Sequence, residues 1–434
     1  MKKTALAAML NFEDLCTHMG KIDKIVGMTV EATGPASNIG DVCRISLKDG
    51  REVLAEVVGF KENKVLLMPY EDTEGIGFGA TVVNTGEKLM INVCDEMVGR
   101  TVNALGQPID GGPPIPDKGI RYSVVGEPAN PMDRPRIDSV IQMGVKAIDG
   151  FMSIGKGQRM GIFAGSGVGK STLMGMLARN VKADVNVIGL VGERGREVVE
   201  FLERDLGEEG KARSVVVCAT SDQPAMLRNK CGMSATAVAE YFRDQGKDVL
   251  LMMDSITRFC MAQRDIGLAI GEPPVARGYT PSIYSSLPKL LERSGNFEKG
   301  SITGIYTVLV EGDDMNEPVA DTVRSIIDGH VMLSRKLAQK NQFPAIDVLA
   351  SISRLMNDIV DTEFKEAAAR IRTMMALYED NVDLISIGAY KSGTNPQLDD
   401  AIAHIDKIGE LLRQRVEEKV SFEETRQRLI DTAQ

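Results

Sequence analysis

The chain contains no tryptophan, and only 5% of its 434 residues are aromatic. Its six cysteines form no Cys-x-x-Cys pair, and its three histidines lie far apart in sequence. These patterns argue against a disulfide framework and against a histidine–cysteine metal centre. No apolar run approaches the length that spans a bilayer. The formal net charge of -10 argues against a surface that coats nucleic acid. We therefore expect a cytoplasmic protein without a nucleic-acid partner.

The most informative run is GIFAGSGVGKST, residues 161–172, in which an apolar strand leads through a glycine-rich turn into a helix. This order is typical of a loop that binds nucleotide phosphates. Glycines allow backbone N–H groups to approach phosphate oxygens, and the helix N-terminus adds a partial positive charge. The predicted phosphate-binding residues are Ala164, Gly165, Ser166, Gly167, Val168, Gly169, Lys170, Ser171 and Thr172.

Two side chains in this loop have predicted chemical roles. Lys170 is placed to reach the β- and γ-phosphates of ATP, and the Ser171 hydroxyl is placed to bind Mg²⁺. Ala164 replaces the first glycine of the usual G-x-x-x-x-G-K-[ST] pattern. Alanine is compatible with that position if its φ angle stays negative.

The pattern of apolar residues divides the chain into three parts. Residues 22–93 contain short β-rich runs, including one at 26–32, and predict a small barrel or sandwich. From residue 159 strands alternate with helices, one of them at 194–205, which predicts an α/β fold with a mainly parallel sheet. After residue 345 we expect mostly helices, with apolar residues at helical spacing in 361–378, 397–415 and 422–433.

Two acidic residues follow predicted buried strands. Asp254 ends the strand at 249–253, and a carboxylate there can hold Mg²⁺ beside the phosphate loop; a helix N-cap is the alternative interpretation. Glu193 follows the strand at 185–191, where a carboxylate can polarise the water that attacks the γ-phosphate. A first-turn glutamate that interacts with the helix dipole is the alternative for this position, and it suits Glu197 better.

Three arginines are further candidates. Arg194 and Arg196 are expected either to line the phosphate site or to pair with nearby acids. For Arg354, which ends the run FPAIDVLASISR at 343–354, the spacing alone indicates little, and a structural ion pair is the default interpretation.

Five runs together resemble one family, the ATPases of type III protein export, which are relatives of the α and β subunits of rotary ATP synthases. The runs are FAGSGVGKS (163–171), GERGRE (192–197), AEYFRDQGK (239–247), LLMMDS (250–255) and FPAID (343–347). The resemblance extends over nearly the whole chain. It implies an N-terminal β-barrel, a RecA-like P-loop core and a C-terminal helical domain. The expected boundaries are 21–96, 97–345 and 346–434, after a partner-binding segment at 1–20.

The resemblance also implies roles for single residues. Glu193 falls on the family's catalytic glutamate, with Arg194 beside it. Arg354 falls on the arginine that reaches into a neighbouring subunit's site, and Phe343 falls on the aromatic residue that stacks on adenine. The loop at 271–279 falls near the central channel of a homohexameric ring.

The implied partners are a stator-like regulatory protein at residues 1–20, a stalk-like protein in the ring, export chaperones with their substrates, and a membrane export gate. The implied location is cytoplasmic and peripheral at the inner-membrane export apparatus. Within residues 1–20, the first ten imitate a signal peptide, but no cleavage site follows, and a short amphipathic helix is expected instead.

Several alternatives stay open at this stage. The runs MAQRDIGL (261–268) and GEPP (271–274) favour the flagellar branch over the virulence injectisome branch. A rotary ATPase subunit shares the fold, but the run at 239–247 favours export. An RNA translocase would need a basic, aromatic N-terminal domain, and a nucleotide-binding scaffold without turnover would not need Lys170, Glu193 and Asp254 together.

Overall fold

The computed structural model of the chain describes residues 19–310, 312 and 314–434. The predicted amphipathic helix, and the predicted partner-binding segment as far as residue 18, lie outside these described residues. Met19 and Gly20, the last two residues of that predicted segment, belong to the first strand.

Six antiparallel strands form a closed barrel near the N-terminus, in the order β1-β2-β5-β4-β3-β6. They are β1 (Met19–Val26), β2 (Thr29–Thr33), β3 (Asp41–Ser46), β4 (Glu52–Lys61), β5 (Lys64–Pro69) and β6 (Thr81–Lys88). The barrel interior is filled by aliphatic side chains such as Ile22, Ile45 and Leu67. The predicted barrel is therefore confirmed.

The prediction of one continuous strand over residues 26–32 was wrong. A two-residue turn separates β1 from β2, with Val26 opposite Thr29. Gly27 has a φ of 58° in this turn, a conformation that glycine adopts without steric cost. The apolar pattern ran through this turn because Val26 and Met28 are both exposed hydrophobic residues.

The segment between the barrel and the phosphate loop is largely irregular. It contains short elements, namely β7 (Met90–Asn92), β8 (Thr101–Asn103), β9 (Arg121–Ser123), β10 (Val140–Ile141), α1 (Lys146–Phe151) and β11 (Ile154–Gly155). β8 pairs in parallel with a strand of the central sheet and forms one edge of it.

A nine-stranded sheet forms the centre of the molecule, and eight of its strands follow the order β19-β18-β12-β17-β15-β13-β14-β8. Its remaining strands are β12 (Arg159–Ala164), β13 (Val185–Val191), β14 (Ser214–Ala219), β15 (Asp248–Asp254), β16 (Gly295–Asn296), β17 (Ser301–Leu309), β18 (Gly329–Leu333) and β19 (Ile346–Ser353). All neighbouring pairs are parallel except those that involve β16 and β19. The predicted, mainly parallel α/β fold is confirmed.

Helices cover both faces of this sheet, and the central strands are buried along their whole length. The helices of this region are α2 (Lys170–Asn180), α3 (Gly195–Glu200), α4 (Gly207–Lys211), α5 (Ala225–Asp244), α6 (Ile256–Ile270), α7 (Pro281–Leu291), α8 (Pro318–Ile326) and α9 (Arg335–Gln339). The helix predicted at 194–205 is divided, because a π-helical turn at Phe201–Leu206 connects α3 to α4.

The chain after residue 345, where mostly helices were predicted, begins with a strand. β19 pairs antiparallel with β18 at the edge of the sheet. Ile346 and Val348 are buried while Asp347 between them is half-buried, and this alternation is typical of a strand with one covered face. The predicted helical region follows as α10 (Met356–Ile359), α11 (Thr362–Ser386), α12 (Pro396–Leu412) and α13 (Phe422–Ala433).

Among the described residues, none of the helices is both long and apolar enough to cross a membrane.

Candidate nucleotide-binding and catalytic site

The predicted phosphate loop joins the end of β12 to the start of α2. Ala164 is the last residue of β12, and Lys170 is the first residue of α2. Gly167 and Gly169 have φ angles of 76° and 87°, which residues with a side chain rarely adopt. Ala164 is not among the residues with positive φ, so the alanine at this position fits the strand conformation.

Sheet topology brings two predicted carboxylates to this loop. Asp254 ends β15 and Glu193 follows β13 by two residues, and both strands run parallel to β12 in the same sheet. The carboxyl ends of parallel strands meet at one edge. The Lys170 ammonium therefore contacts the Asp254 carboxylate and lies 3.7 Å from Oε1 of Glu193.

Asp254 has a second fixed partner. The Thr307 hydroxyl on β17 donates to Oδ1 of Asp254 at 2.6 Å. Ser255 caps the following helix α6, because its Oγ accepts from the backbone N–H of Arg258 at 3.3 Å. The helix-cap role that was an alternative for Asp254 thus belongs to Ser255, and the Asp254 side chain points to Lys170.

Glu193 lies in an unusual electrostatic environment. Burial and the neighbouring Asp254 carboxylate raise the pKa of Glu193 to about 7, although Lys170 and Arg258 oppose this shift. Its Oε1 is buried and accepts no hydrogen bond from the described residues. A buried carboxyl whose pKa is near neutrality is suited to accept a proton from water at physiological pH.

Lys170 stays protonated in the same site. Burial alone would lower the pKa of Lys170, but Asp254 and Glu193 together raise it above its ordinary value. The site therefore combines a permanent positive charge with a carboxyl group that titrates near neutral pH.

These groups line a cavity of about 740 Å³. Of the predicted phosphate-binding residues, all but Val168 line it. Val168 is buried and lines the cavity beside Phe343 instead. The first cavity is rich in cations, which are Lys170, Arg194, Arg196, Arg204, Arg258 and Arg335. Arg194 is largely exposed at the rim, where it donates to Glu197 at 3.2 Å.

Arg258 is a site residue that the sequence reasoning missed. It lies one turn into α6, four residues after Asp254, so the spacing from that carboxylate was the signal that could have found it. Its Nε atom is buried and has no hydrogen-bond partner among the described residues. A buried, unsatisfied guanidinium N–H that lines a cavity is suited to bind an anion there.

Phe343 lies beside the phosphate loop in a second cavity of about 790 Å³. Its ring lies near Gly169, where an added Cβ would be 3.8 Å from it. Its backbone carbonyl accepts from the Gln414 N–H at 3.0 Å. Thr172 lines both cavities, so the two are adjacent, and the more apolar second cavity suits a nucleotide base.

Arg354 is the one predicted site residue that the fold keeps away from the loop. Its backbone N–H donates to the Asp328 carbonyl, and the backbone N–H of Asp328 donates in turn to the carbonyl of Arg159 at the start of β12. The phosphate loop lies at the other end of β12, about 16 Å away at the rise of a strand. The Arg354 side chain is exposed, and its Nη2 donates only weakly to the Arg324 carbonyl at 3.4 Å.

Comparison with known protein families matches three stretches of the chain. Residues 22–86 match the β-barrel domain of the ATP synthase alpha/beta family, and residues 144–353 match its nucleotide-binding domain. Residues 360–431 match the T3SS EscN ATPase C-terminal domain. The fold and the site together define a P-loop ATPase.

Comparison with individual relatives shows which P-loop ATPases this chain is similar to. The chain is 51% identical over 428 residues to a flagellum-specific ATP synthase of Bacillus subtilis, a match that covers 98% of this chain and 97% of the relative. The assembled ATPase EscN of the enteropathogenic E. coli type III secretion system superposes with a TM-score of 0.91 at 45% identity, covering 96% of this chain and 100% of that one.

EscN in complex with its central stalk EscO superposes with a TM-score of 0.89 at 44% identity, again covering 96% of this chain and 100% of that chain. The chain belongs to the ATP synthase alpha/beta family, in its branch of flagellum-specific and type III secretion ATPases. It is an ATPase of a type III export apparatus, of either the flagellar or the injectisome kind.

Proposed function

We propose that this chain is the ATPase of flagellar protein export and hydrolyses Mg-ATP at the interfaces of a homohexameric ring. One observation supports this most directly. The phosphate loop, Glu193 and Asp254 form one site, whereas Arg354 lies at the opposite edge of the same sheet. In this proposal, Arg354 from a second copy of the chain completes the site, which its own Arg354 does not reach.

Within one subunit, the residues divide the work of phosphoryl transfer. Lys170 and the backbone N–H groups of the phosphate loop bind the β- and γ-phosphates, with Arg258 and Arg194 adding positive charge. Glu193 orients and deprotonates the attacking water. Ser171 and Asp254 would hold Mg²⁺, which when bound neutralises charge on the phosphates.

The second cavity would hold the adenine base. Phe343 supplies an exposed aromatic face beside Gly169, and aromatic rings stack on bases irrespective of their hydrogen-bonding pattern. The neighbouring chain segment 413–418 belongs to the C-terminal region and lines the same cavity. Base binding would thus connect the nucleotide core to the C-terminal helices.

In the assembled ring, Arg354 would act in trans on the neighbouring subunit's ATP. An arginine that stabilises transition-state charge contributes on the order of 10³–10⁵ in rate in related systems. Hydrolysis would then depend on ring closure. The assembled state of EscN supports a ring, and its complex with EscO supports a stalk-like partner. We place that partner near the loop at 271–279.

The further roles complete this proposal. Hydrolysis would drive chaperone release, unfolding and entry of export substrates at the membrane export gate, with the ATPase peripheral at the inner membrane. Residues 1–20 would bind a stator-like regulator. The identity of 51% to the flagellum-specific relative, compared with 45% to EscN, supports the flagellar branch. The structural likeness to EscN makes the injectisome branch the second candidate.

The test of the shared site is steady-state Mg-ATPase activity against protein concentration, with oligomer mass followed in parallel. We expect specific activity to rise with concentration as rings form. Concentration-independent turnover by a monomer would contradict the shared interface. The branch is tested by expressing the chain in cells that lack their flagellar export ATPase and in cells that lack their injectisome ATPase. Restored motility in the first strain supports the flagellar assignment. Restored secretion in the second strain without restored motility in the first contradicts it.

A further inference from the structure

A contact outside the predicted site connects the helical segment after Glu193 to the helix of the phosphate loop. The segment consists of α3, the π-helical turn Phe201–Leu206 and α4. A π turn holds more residues than an α turn and thereby changes which side chains face a neighbouring element. Such turns occur frequently at functional sites.

Here the π turn directs Asp205 against α2. Asp205 is only 4% exposed, and its Oδ1 accepts from the Thr172 hydroxyl at 3.3 Å. Its other polar partner is the guanidinium of Arg204, at 3.3 Å from Oδ2. The backbones are also in close contact, because a Cβ at Gly175 of α2 would lie 2.7 Å from the Asp205 carbonyl carbon.

Thr172 is a sensitive place for such a contact. It follows Lys170 and Ser171 in the first turn of α2, and it lines both the phosphate cavity and the cavity beside Phe343. A carboxylate that accepts the Thr172 proton holds that side chain in one rotamer. It thereby fixes the first turn of α2 relative to the segment that begins at Glu193.

We propose that Asp205 is a positioning residue for ATP hydrolysis: through Thr172 it holds the phosphate-binding turn in register with Glu193. Asp205 touches neither cavity itself, so its effect is on the distance between the Lys170 and Ser171 groups and the Glu193 carboxylate. This inference rests on the roles proposed above for those three residues.

The first test is the kinetics of Asp205→Ala at a temperature far below its unfolding midpoint. We expect kcat to fall roughly ten- to a hundredfold, because small misplacements of reacting groups cost that much. KM for ATP should change less than kcat, since Asp205 itself lines neither cavity. Asp205→Asn keeps an oxygen that accepts the Thr172 proton and should recover most of kcat. Glu203→Ala, at an exposed position of the same π turn, is the matched control and should behave as the wild type.

The second test is a double-mutant cycle with Thr172→Val, which removes the hydroxyl and keeps the shape. If the two residues act together, the double variant should be no slower than the slower single variant. Additive losses, or an Asp205→Ala variant with unchanged kcat, would overturn the inference. If Asp205→Ala does not fold, Asp205→Leu takes its place, since leucine has a similar shape and no acceptor, and Asp205→Asn stays the matched variant that keeps the acceptor.

The proposed site is checked separately by Lys170→Ala. Loss of activity in Lys170→Ala with normal kcat in Asp205→Ala would reject the positioning role alone. Full activity in Lys170→Ala would reject the proposed site itself.

Discussion

At the scale of single residues, the site depends on charged side chains that lie close to one another. Lys170 lies between two carboxylates. Burial, together with the nearby Asp254 carboxylate, raises the pKa of Glu193 to about 7. Thr307 fixes Asp254 from a third strand. The two acids thus differ. Lys170 and a hydroxyl hold Asp254, whereas the buried Oε1 of Glu193 accepts no hydrogen bond from the described residues.

A first prediction concerns the Glu193 carboxylate. Glu193→Gln should keep nucleotide binding but lower kcat by roughly 10²–10⁴-fold, the usual contribution of a general base. Fluorescent-nucleotide binding and steady-state ATPase assays measure the two effects separately. Glu203→Gln, at an exposed position of the π turn, is the control. Nucleotide affinity that falls together with turnover in Glu193→Gln would contradict the role of this residue in activating water.

A second prediction concerns pH. A base works only in its deprotonated form, and burial together with Asp254 raises the pKa of Glu193 from 4.5 to about 7. Turnover should therefore rise as pH increases from 6 to 8, with an apparent pKa of about 7. A pH profile of kcat measures this limb. The residual activity of Glu193→Gln should lack it, and the same limb in that variant would assign the titration to another group.

At the scale of secondary-structure elements, the phosphate loop depends on how α2 packs against the segment 195–211. Gly175 allows this close contact, because any side chain at that position would overlap the backbone of Asp205. The elements that surround the site are thus held by backbone contacts as well as by the Asp205–Thr172 hydrogen bond.

A third prediction follows from this packing. Gly175→Ala should lower the free energy of unfolding by about 1–3 kcal/mol, the usual cost of overpacking. Urea denaturation measures the change. Gly409→Ala in α12 is the matched control, since a Cβ there meets nothing within 4 Å. The control should be stabilised by about 1 kcal/mol through helix propensity. Equal stabilisation of both variants would contradict the close contact.

At the scale of the whole molecule, a buried polar cluster joins the barrel to the nucleotide core. Lys230 of α5 lies 2.8 Å from the Glu56 carboxylate of β4, and the Tyr70 hydroxyl donates to Glu56 at 2.6 Å. Lys230 and Tyr70 are 4% and 0% exposed. A buried ion pair of this kind fixes how two parts of a chain meet, since each charge needs its partner.

A fourth prediction tests this junction. Lys230→Met should destabilise the protein by about 3–5 kcal/mol, because it leaves the Glu56 charge buried without its cation. The double variant Lys230→Met with Glu56→Gln should recover much of this loss. Denaturant unfolding followed by circular dichroism measures both. A single variant as stable as the wild type would show that the pair does not hold the junction.

A fifth prediction concerns the ring. Arg354→Ala should bind ATP and lose most hydrolysis. The control is Arg370→Ala, which removes an exposed arginine of α11 paired with Asp400 and should keep both ATP binding and hydrolysis. Mixing Arg354→Ala chains with Glu193→Ala chains should restore part of the activity, because some interfaces then combine an intact base with an intact arginine.

The control for the ring is a mixture of Arg354→Ala chains with chains that carry both substitutions. No interface in that mixture has an intact arginine, so its activity should stay low. Failure of the first mixture to recover activity, with rings present, would count against the action of Arg354 in trans.

The sequence alone determined the parts of this protein whose signal is local. The phosphate loop follows from its glycines and from the strand and helix on either side of it, and the barrel follows from short β-rich runs between turns. The parallel sheet follows from alternating strands and helices. Local signals also explain the errors: residues 26–32 read as one strand because exposed apolar residues flank Gly27, and β19 was missed because its alternation is short.

Only the tertiary structure decided which distant residues act together. Arg258 joins Glu193 and Lys170 because three parallel strands end at one edge, and no run in the sequence contains all three. Asp205 reaches Thr172 because a π turn changes which side chains of this segment face α2. The apolar pattern had predicted one continuous helix there. Arg354 lies beyond the other edge because β19 runs antiparallel to its neighbour. These relations are long-range, and periodicity along the chain carries no information about them.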